Sequence, residues 1–318
     1  MRGIISRFAP APTGYLHLGH VVNAVCVWRE TRTRLGRVLL RIEDHDRQRS
    51  RRQFEEAILE DLAWLGFEAD EPLVRQSERD DIYTHALDTL RRQGLVYACD
   101  CSRADVAQVL RPEAGRNVAQ AFPPPLADNT GELRRGSPKP LGEGGRPADA
   151  GLKPRATPEL RYPGTCAHRG LVQGPGVGLR VRLEPSVERF VDLRIGLQEQ
   201  QPSAQCGDLL VRDRDGNWTY QFAATVDDSV QGVTLVIRGV DLLASTGRQI
   251  QLARLLGRDE PPAFLHHPLI MKSATSAGGS GGPGQKLSKS DGDTGIRELR
   301  ARGWTPAQVI DAAVALVE

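Results

Sequence analysis

Residues 7 to 20 read Arg-Phe-Ala-Pro-Ala-Pro-Thr-Gly-Tyr-Leu-His-Leu-Gly-His, and no other stretch restricts the fold so strongly. The apolar run from Gly3 to Phe8 before it predicts a strand. After it, Val21, Ala24, Val25 and Trp28 fall on one face of a helix. Strand, tight loop and helix in that order form the layout of a nucleotide site. Pro10, Pro12 and Gly14 stiffen the loop, and the helix start leaves backbone N–H groups free to face phosphate. His17 and His20 flank Gly19, which sets two imidazoles beside a backbone that a ligand can approach closely. A His-x-x-His pair by itself is more often a plain surface turn.

A second stretch, Lys286-Leu-Ser-Lys-Ser290, changes that balance. The two together, in this order, resemble the HIGH and KMSKS signatures of class I aminoacyl-tRNA synthetases. Arg7-Phe-Ala-Pro-x-Pro-Thr-Gly14, with Arg41-Ile-Glu-Asp44 between the signatures, resembles the glutamyl branch of that class. The resemblance implies an α/β fold: a Rossmann-type nucleotide-binding core carrying an inserted module that is acceptor-stem-like and zinc-binding. It implies catalytic roles for His17, His20, Lys286 and Lys289, and ATP contacts at His17, Gly19, His20 and Lys289. Glutamate contacts fall by match on Arg7, Phe8, Ala9, Pro10, Ala11, Glu43, Tyr220 and Arg238. Arg7 is the candidate for the substrate's side-chain carboxylate. Where the family's loop carries a serine this chain has Ala11, so one hydroxyl hydrogen bond is missing or supplied otherwise.

The residues themselves support that frame. Val38, Leu39, Leu40 and Ile42 form the near-continuous apolar run of a strand buried on both faces, completing a βαβ unit. Glu43 follows at its carboxyl end, where ligands bind in open α/β sheets. Helices are predicted from Phe54, with Ala57, Ile58, Leu62 and Leu65 inward and Glu55, Glu56, Glu60 and Asp61 outward, and over 80–92. Leu179, Val181 and Leu183 alternate with charged residues, and Val191, Leu193 and Ile195 alternate again, as half-buried strands do. Asp208 to Phe222 reads as a β-hairpin turning at Asp215-Gly216. Val233 to Ile237 predicts a strand ending at Arg238, 248–256 a helix, and 266–271 the last core strand. The adjacent His266 and His267 point to opposite faces, which argues against a shared metal.

Leu95 to Cys101 predicts a strand ending in Cys-x-Cys. Two thiolates one residue apart supply half of a tetrahedral zinc site. The glutamyl-queuosine tRNA(Asp) synthetases, short relatives of the glutamyl enzymes, place Cys-x-Cys and then Tyr-x-x-x-Cys around one structural Zn²⁺. The matching residues are Cys99, Cys101, Tyr162 and Cys166, with His168 an alternative fourth ligand. Between these halves, residues 111–158 hold nine prolines and seven glycines in 48 positions, a composition expected of a disordered surface insertion. A second Gly/Ser tract, 277–284, reads as a flexible linker to the lysine loop.

The expected organisation is a first core half at 1–98, an inserted zinc and acceptor-like module at 99–205, and a second core half at 206–318 that ends in one helix after Thr305-Pro306. With 318 residues, 39% apolar and 26% charged, the chain has the composition of a soluble globular protein. The net charge of +2 neither demands nor excludes a nucleic-acid partner. No apolar run reaches the roughly 20 residues that span a bilayer, and a cytoplasmic monomer is expected, its five cysteines serving as thiols or ligands. The family resemblance implies ATP- and Mg²⁺-dependent activation of glutamate and its transfer to tRNA. Because a discriminating glutamyl enzyme carries a further anticodon-binding domain after this point, the implied acceptor is queuosine at the wobble position of tRNA(Asp). A truncated glutamyl-tRNA synthetase acting on tRNA(Glu), or a non-catalytic RNA-binding paralogue, are the alternatives.

Overall fold

The run after Gly3 forms β1 (Ile5–Phe8), the signature loop follows, and α1 (Leu18–Arg32) leads to β2 (Arg37–Ile42). This computed structural model describes residues 3–109, 160–269 and 295–316. The insertion at 111–158, the tract at 277–284, the end of the strand expected at 266–271, and the loop holding Lys286 and Lys289 lie outside the described residues. The chain continues through α2 (Arg52–Leu65), β3 (Val74–Arg75), α3 (Asp80–Arg92), β4 (Val96–Cys99) and α4 (Arg103–Val109). It resumes with β5 (Gly178–Val181), β6 (Glu188–Asp192), β7 (Gly196–Gln200), α5 (Pro202–Cys206) and β8 (Leu209–Arg212). Then come α6 (Tyr220–Val230), β9 (Leu235–Gly239), α7 (Thr246–Leu255), β10 (Ala263–His267), α8 (Ile296–Ala301) and α9 (Pro306–Val314).

Strands β1, β2 and β3 pair in parallel, as do β9, β10 and β6, while β7 runs antiparallel at the edge. The two sheets meet at β1 and β9. There the Thr234 N–H donates to the Ile5 carbonyl at 2.8 Å, and the Ile5 N–H donates to the Thr234 hydroxyl at 2.9 Å. The spatial order β3-β2-β1-β9-β10-β6-β7 sends the carboxyl ends of β1, β2, β9 and β10 to one side, where open α/β sheets bind ligands. Val21, Val22 and Val25 of α1, Ile58 and Leu62 of α2, and Val309 of α9 pack in one core with Phe8, Val38, Leu235 and Ile237 of the strands. A separate antiparallel sheet, β4-β5-β8, packs with α3 and α6 around Tyr83, Leu87, Val181, Val211 and Phe222.

Three details depart from the pattern expected of the sequence. The segment after Asp215-Gly216 does not return as a strand. Only Arg212 and Trp218 bridge, and α6 begins at Tyr220. Alternating Trp218, Tyr220 and Phe222 imitate a strand, but burial of Phe222, Ala223 and Val226 requires a helical face. In β6 the inward residues are Glu188, Phe190 and Asp192, so Val191, Leu193 and Ile195 are 59%, 49% and 43% exposed. The inward carboxylates are tolerated because each has fixed partners, Arg254 at 2.7 Å for Glu188 and His266 at 2.7 Å for Asp192. Asp61, expected on the solvent face of α2, is buried and meets Arg300 of α8 at 3.0 Å. The hairpin β6–β7, within the residues 99–205 assigned to an inserted module, is bonded to the core sheet through β10.

Candidate active site and cysteine cluster

The signature loop is pinned to the neighbouring strand end, since the Glu43 N–H donates to the Pro10 carbonyl at 3.0 Å. His17 caps α1: its Nδ1 accepts from the Gly19 N–H at 3.0 Å, while the His20 Nδ1 accepts from the His17 N–H at 3.1 Å. The two rings lie 4.0 Å apart at the positive end of the helix. A Cβ on Gly19 would stand 2.8 Å from the His17 ring, so this cap admits no side chain there. On the far side of His17, Gly295 forms a β-bridge with it, and the Ile296 N–H donates to the Leu16 carbonyl at 3.0 Å. The described chain therefore resumes after the lysine loop against the helix start.

Arg7, Glu43, Tyr220 and Arg238 are brought to one side of the sheet by the ends of β1, β2, α6 and β9. The Arg7 Nε donates to both oxygens of Asp228, at 3.1 and 3.3 Å, and its Nη1 to the Ile237 carbonyl at 3.4 Å, leaving Nη2 without a partner among the described residues. Arg41, fully buried, donates to Asp228 at 2.8 Å, Gln231 at 2.9 Å and Glu43 at 3.2 Å. Asp227 next door accepts from Gln76 and Tyr83 at 2.8 Å and from Arg79 at 2.7 Å. Burial opposes ionisation of Asp228, but Arg7 and Arg41 outweigh it and hold its carboxyl below the usual range. Arg7, Arg41 and Arg79 thus stand among Glu43, Asp227 and Asp228. Arg238 is 4% exposed, and it donates to His266 at 3.1 Å, Gln249 at 2.7 Å and Thr246 at 2.9 Å. Burial pulls its guanidinium below the ordinary value, an effect opposed by the neighbouring Tyr220.

The matched residues Phe8 and Pro10 are buried, and Ala9 and Ala11 are half-buried in the loop. Sequence reasoning gives no role to Asp227 or Asp228, takes Arg41 only as part of Arg41-Ile-Glu-Asp44, and takes His266 only as an unlikely metal ligand. The signal available was a charged residue at the centre of an apolar run, as Arg41 is between Leu40 and Ile42.

The Sγ atoms of Cys99, Cys101 and Cys166 lie within 4.8 Å of one another, with Cys101 and Cys166 at 3.4 Å. Of the two candidates for a fourth donor, Tyr162 is buried with its hydroxyl 3.4 Å from the Cys99 Sγ, and it accepts the Cys166 N–H at 2.8 Å. His168 is exposed. A Cβ on Gly207, at φ 67°, would fall 2.0 Å from the Tyr162 carbonyl, so glycine there lets the Tyr162 backbone lie against the end of α5. The Arg180 guanidinium sits 3.6 Å above the Tyr162 ring and donates to Cys99 at 3.3 Å. Burial raises the Cys99 thiol, yet hydrogen bonds from Tyr162 and Arg180 leave it below the ordinary value. Burial and the adjacent Cys166 push Cys101 up to about 12. Arg180 therefore supports the Cys99 thiolate, Arg169 approaches Cys166 at 3.5 Å, and a cation among the three sulfurs would support the rest. The donors fit one: four ligands about 2.3 Å from a tetrahedral Zn²⁺ stand about 3.8 Å apart.

The model of the catalytic domain of class I tRNA synthetases (E and Q) matches residues 3–121 and 169–315. A glutamyl-Q tRNA(Asp) synthetase of Bordetella bronchiseptica is 39% identical over 290 residues, covering 91% of this chain and 75% of the relative. One of Rhodobacter capsulatus is 34% identical over 319 residues, covering 96% of this chain and 98% of the relative. Among solved structures, a glutamate tRNA ligase of Elizabethkingia meningosepticum in complex with its amino acid superposes with a TM-score of 0.64 at 26% identity over 92% of this chain. The chain spans 53% of that ligase's length. Fold, helix-cap histidines and sequence agree: the chain belongs to the class I tRNA synthetase (E and Q) family, in the branch of the glutamyl-Q tRNA(Asp) synthetases.

Proposed function

We propose that the protein activates L-glutamate with ATP to glutamyl-adenylate and transfers the glutamyl group to queuosine at the wobble position of tRNA(Asp). The observation that carries the reading is the convergence of Arg7, Glu43, Tyr220 and Arg238 beside the His17–His20 helix cap. Arg7 offers Nη2 to the side-chain carboxylate. Glu43, steadied by Arg41 through one oxygen, offers the other to the ammonium group. Arg238 and Tyr220 receive the remaining carboxylate. That carboxylate's oxygen attacks the ATP α-phosphorus and the bond to pyrophosphate breaks. A queuosine hydroxyl then attacks the acyl carbon, releasing AMP, and its proton leaves with the phosphate or water.

No side-chain nucleophile is needed. His17, Gly19 and His20 bind ATP at the helix start, where N–H groups and the dipole favour phosphate. Lys286 and Lys289 act on the charge that develops at the α-phosphate. Mg²⁺ neutralises the phosphates of ATP when bound. Cys99, Cys101, Tyr162 and Cys166 would hold one Zn²⁺, which would tie β4 to the segment before β5. The protein acts as a cytoplasmic monomer, and among the described residues no helix is long and apolar enough to cross a membrane. The proposed layout keeps core halves at 1–98 and 206–318 around the 99–205 module.

The acceptor assignment is supported by the relatives at 34% and 39% identity, while the half-length likeness to a glutamate tRNA ligase favours tRNA(Glu) as the competing acceptor. Glutamate-dependent ATP–pyrophosphate exchange is measured first without tRNA. Transfer of labelled glutamate is then compared on queuosine-bearing tRNA(Asp), tRNA(Asp) lacking queuosine, and tRNA(Glu). Exchange together with labelling of the first RNA alone is expected. Labelling of tRNA(Glu) would move the acceptor, and absence of exchange by folded, ATP-binding protein would remove the activity.

A further inference from the structure

Behind Arg238 lies a buried chain of side chains that the proposed mechanism does not use. Asp192 of β6 and His266 of β10 are each 1% exposed. The Asp192 Oδ2 faces the His266 Nδ1 at 2.7 Å and accepts the His266 backbone N–H at 3.0 Å, while Oδ1 accepts the N–H groups of Arg194 and Ile195 at 3.0 and 2.9 Å. Oδ2 already accepts a backbone N–H and so faces the imidazole as an acceptor, and the Nδ1 beside it carries the proton. That leaves a lone pair on Nε2, and the Arg238 Nε, which only donates, stands 3.1 Å from it. The three residues come from the adjacent strands β6, β10 and β9, with His266 directly opposite Arg238 in register.

Arginine has five N–H donors. His266, Gln249 and Thr246 fix one donor on each nitrogen, which sets the plane of the fork and leaves the remaining two for Tyr220 and a ligand. We propose that Asp192 and His266 are positioning residues for amino-acid recognition: Asp192 selects the Nδ1–H tautomer of His266, and its Nε2 lone pair aims the Arg238 guanidinium at a carboxylate of the substrate. This rests on reading Arg238 as a glutamate ligand. It adds that the aim is set by a neutral imidazole, which a second proton would abolish. The charged or titratable groups around that imidazole are Asp192 on β6, Arg238 on β9 with Tyr220 of α6 beyond it, and His267 on β10; α7 presents the uncharged Thr246 and Gln249. Burial holds the His266 imidazole below its ordinary value, in keeping with the neutral form at neutral pH.

The test measures KM for glutamate, KM for ATP and kcat in ATP–pyrophosphate exchange, from pH 5.5 to 8, for the full chain and for His266→Ala, His266→Gln, Asp192→Asn and Arg238→Ala. Loss of a buried hydrogen bond to a charged group predicts that His266→Ala raises the glutamate KM roughly 10- to 100-fold with ATP KM unchanged. His266→Gln, whose Oε1 accepts the Nε–H but takes up no proton, restores most of the affinity. It also removes the rise in glutamate KM that the parent shows toward low pH. Asp192→Asn raises the glutamate KM without altering ATP KM. Glutamate KM unchanged in His266→Ala, equal rises in both KM values, or a His266→Gln no better than His266→Ala would each overturn the relay. If His266→Ala does not fold, His266→Gln decides alone: a flat pH profile with near-parent affinity supports the relay, and a parent-like acid limb overturns it. Arg238→Ala with unchanged glutamate KM would instead overturn the assignment of Arg238 itself.

Discussion

The proposed glutamate pocket and the cysteine cluster are both buried collections of ionisable groups, and they handle charge in different ways. In the pocket the chain supplies both signs: Arg7, Arg41 and Arg79 stand among Glu43, Asp227 and Asp228. Around the cysteines, Arg180 reaches Cys99, while Arg169 is shared between Asp100 and Cys166. The first holds Arg7 and Arg41 in fixed pairs while leaving Arg238 with no carboxylate partner among the described residues, so its donors are already placed before a ligand arrives, which lowers the ordering cost of binding. The second gathers three thiols within 4.8 Å, a donor set that a cation would complete. One region is thus organised by paired side chains at the carboxyl ends of the strands, the other by a donor set that joins two chain segments.

The largest effect should follow from unbalancing the pocket. Asp228→Ala leaves Arg7 and Arg41 buried without their shared carboxylate, a defect that costs about 3–5 kcal/mol. Urea unfolding should show that loss, and glutamate-dependent exchange should vanish with it. A parent-like midpoint would mean that the pocket is not held by this balance. Next comes chelation. If zinc occupies the cluster at a hundredfold excess over its Kd, its removal destabilises the fold by about 3 kcal/mol. Calorimetry with and without chelator should show a lower Tm that returns on adding Zn²⁺, and an unmoved Tm would place no metal there.

Acid should separate the regions by a smaller margin. His266 is held below its ordinary value near 6.5, so as pH falls below that value the unfolded chain takes a proton that the native one refuses. Stability then declines with a slope of at most about 1.4 kcal/mol per pH unit, until the native pKa is passed. Asp228 adds a second decline, because its depressed carboxyl contributes stability above pH 3.8 that is lost as pH drops through its native value. Unfolding midpoints between pH 7.5 and 5 test the first decline, with His266→Gln as the variant that should flatten it. Tyr162→Phe is the mildest change, since it removes one acceptor for the Cys166 N–H and costs about 1 kcal/mol. It should also weaken zinc retention in a competition with chelator. Equal retention would leave the phenol outside the metal's reach.

The legible parts of the sequence were those in which one element's own pattern decides the outcome. Helix α3 begins and ends at the residues expected of it, and the strand, loop and helix around His17 follow from local periodicity and Gly19. Reading stopped where a residue's partner lies far along the chain. Arg41 is 187 residues from Asp228, Asp61 is 239 from Arg300, and Asp192 is 74 from His266. Without those partners the rule that charge faces water put Asp61 outside and turned β6 over. The stretch 218–222 failed for a related reason: over five residues an alternating pattern fits a strand, and only burial of Ala223 and Val226 beyond it reveals a helix.

Sequence alone determined the strand, loop and helix around His17 and most of the α/β order, because periodicity and glycine are local properties, while the cysteine set came from the family resemblance. Only the tertiary structure decided that Tyr162 rather than His168 lies against those cysteines, and that Asp228 joins Arg7 to Arg41. It likewise decided that His266 stands behind Arg238 with Nε2 3.1 Å from its Nε. A buried charge is stable only beside its partner, and which partner it meets is settled by how the sheet brings its strands together.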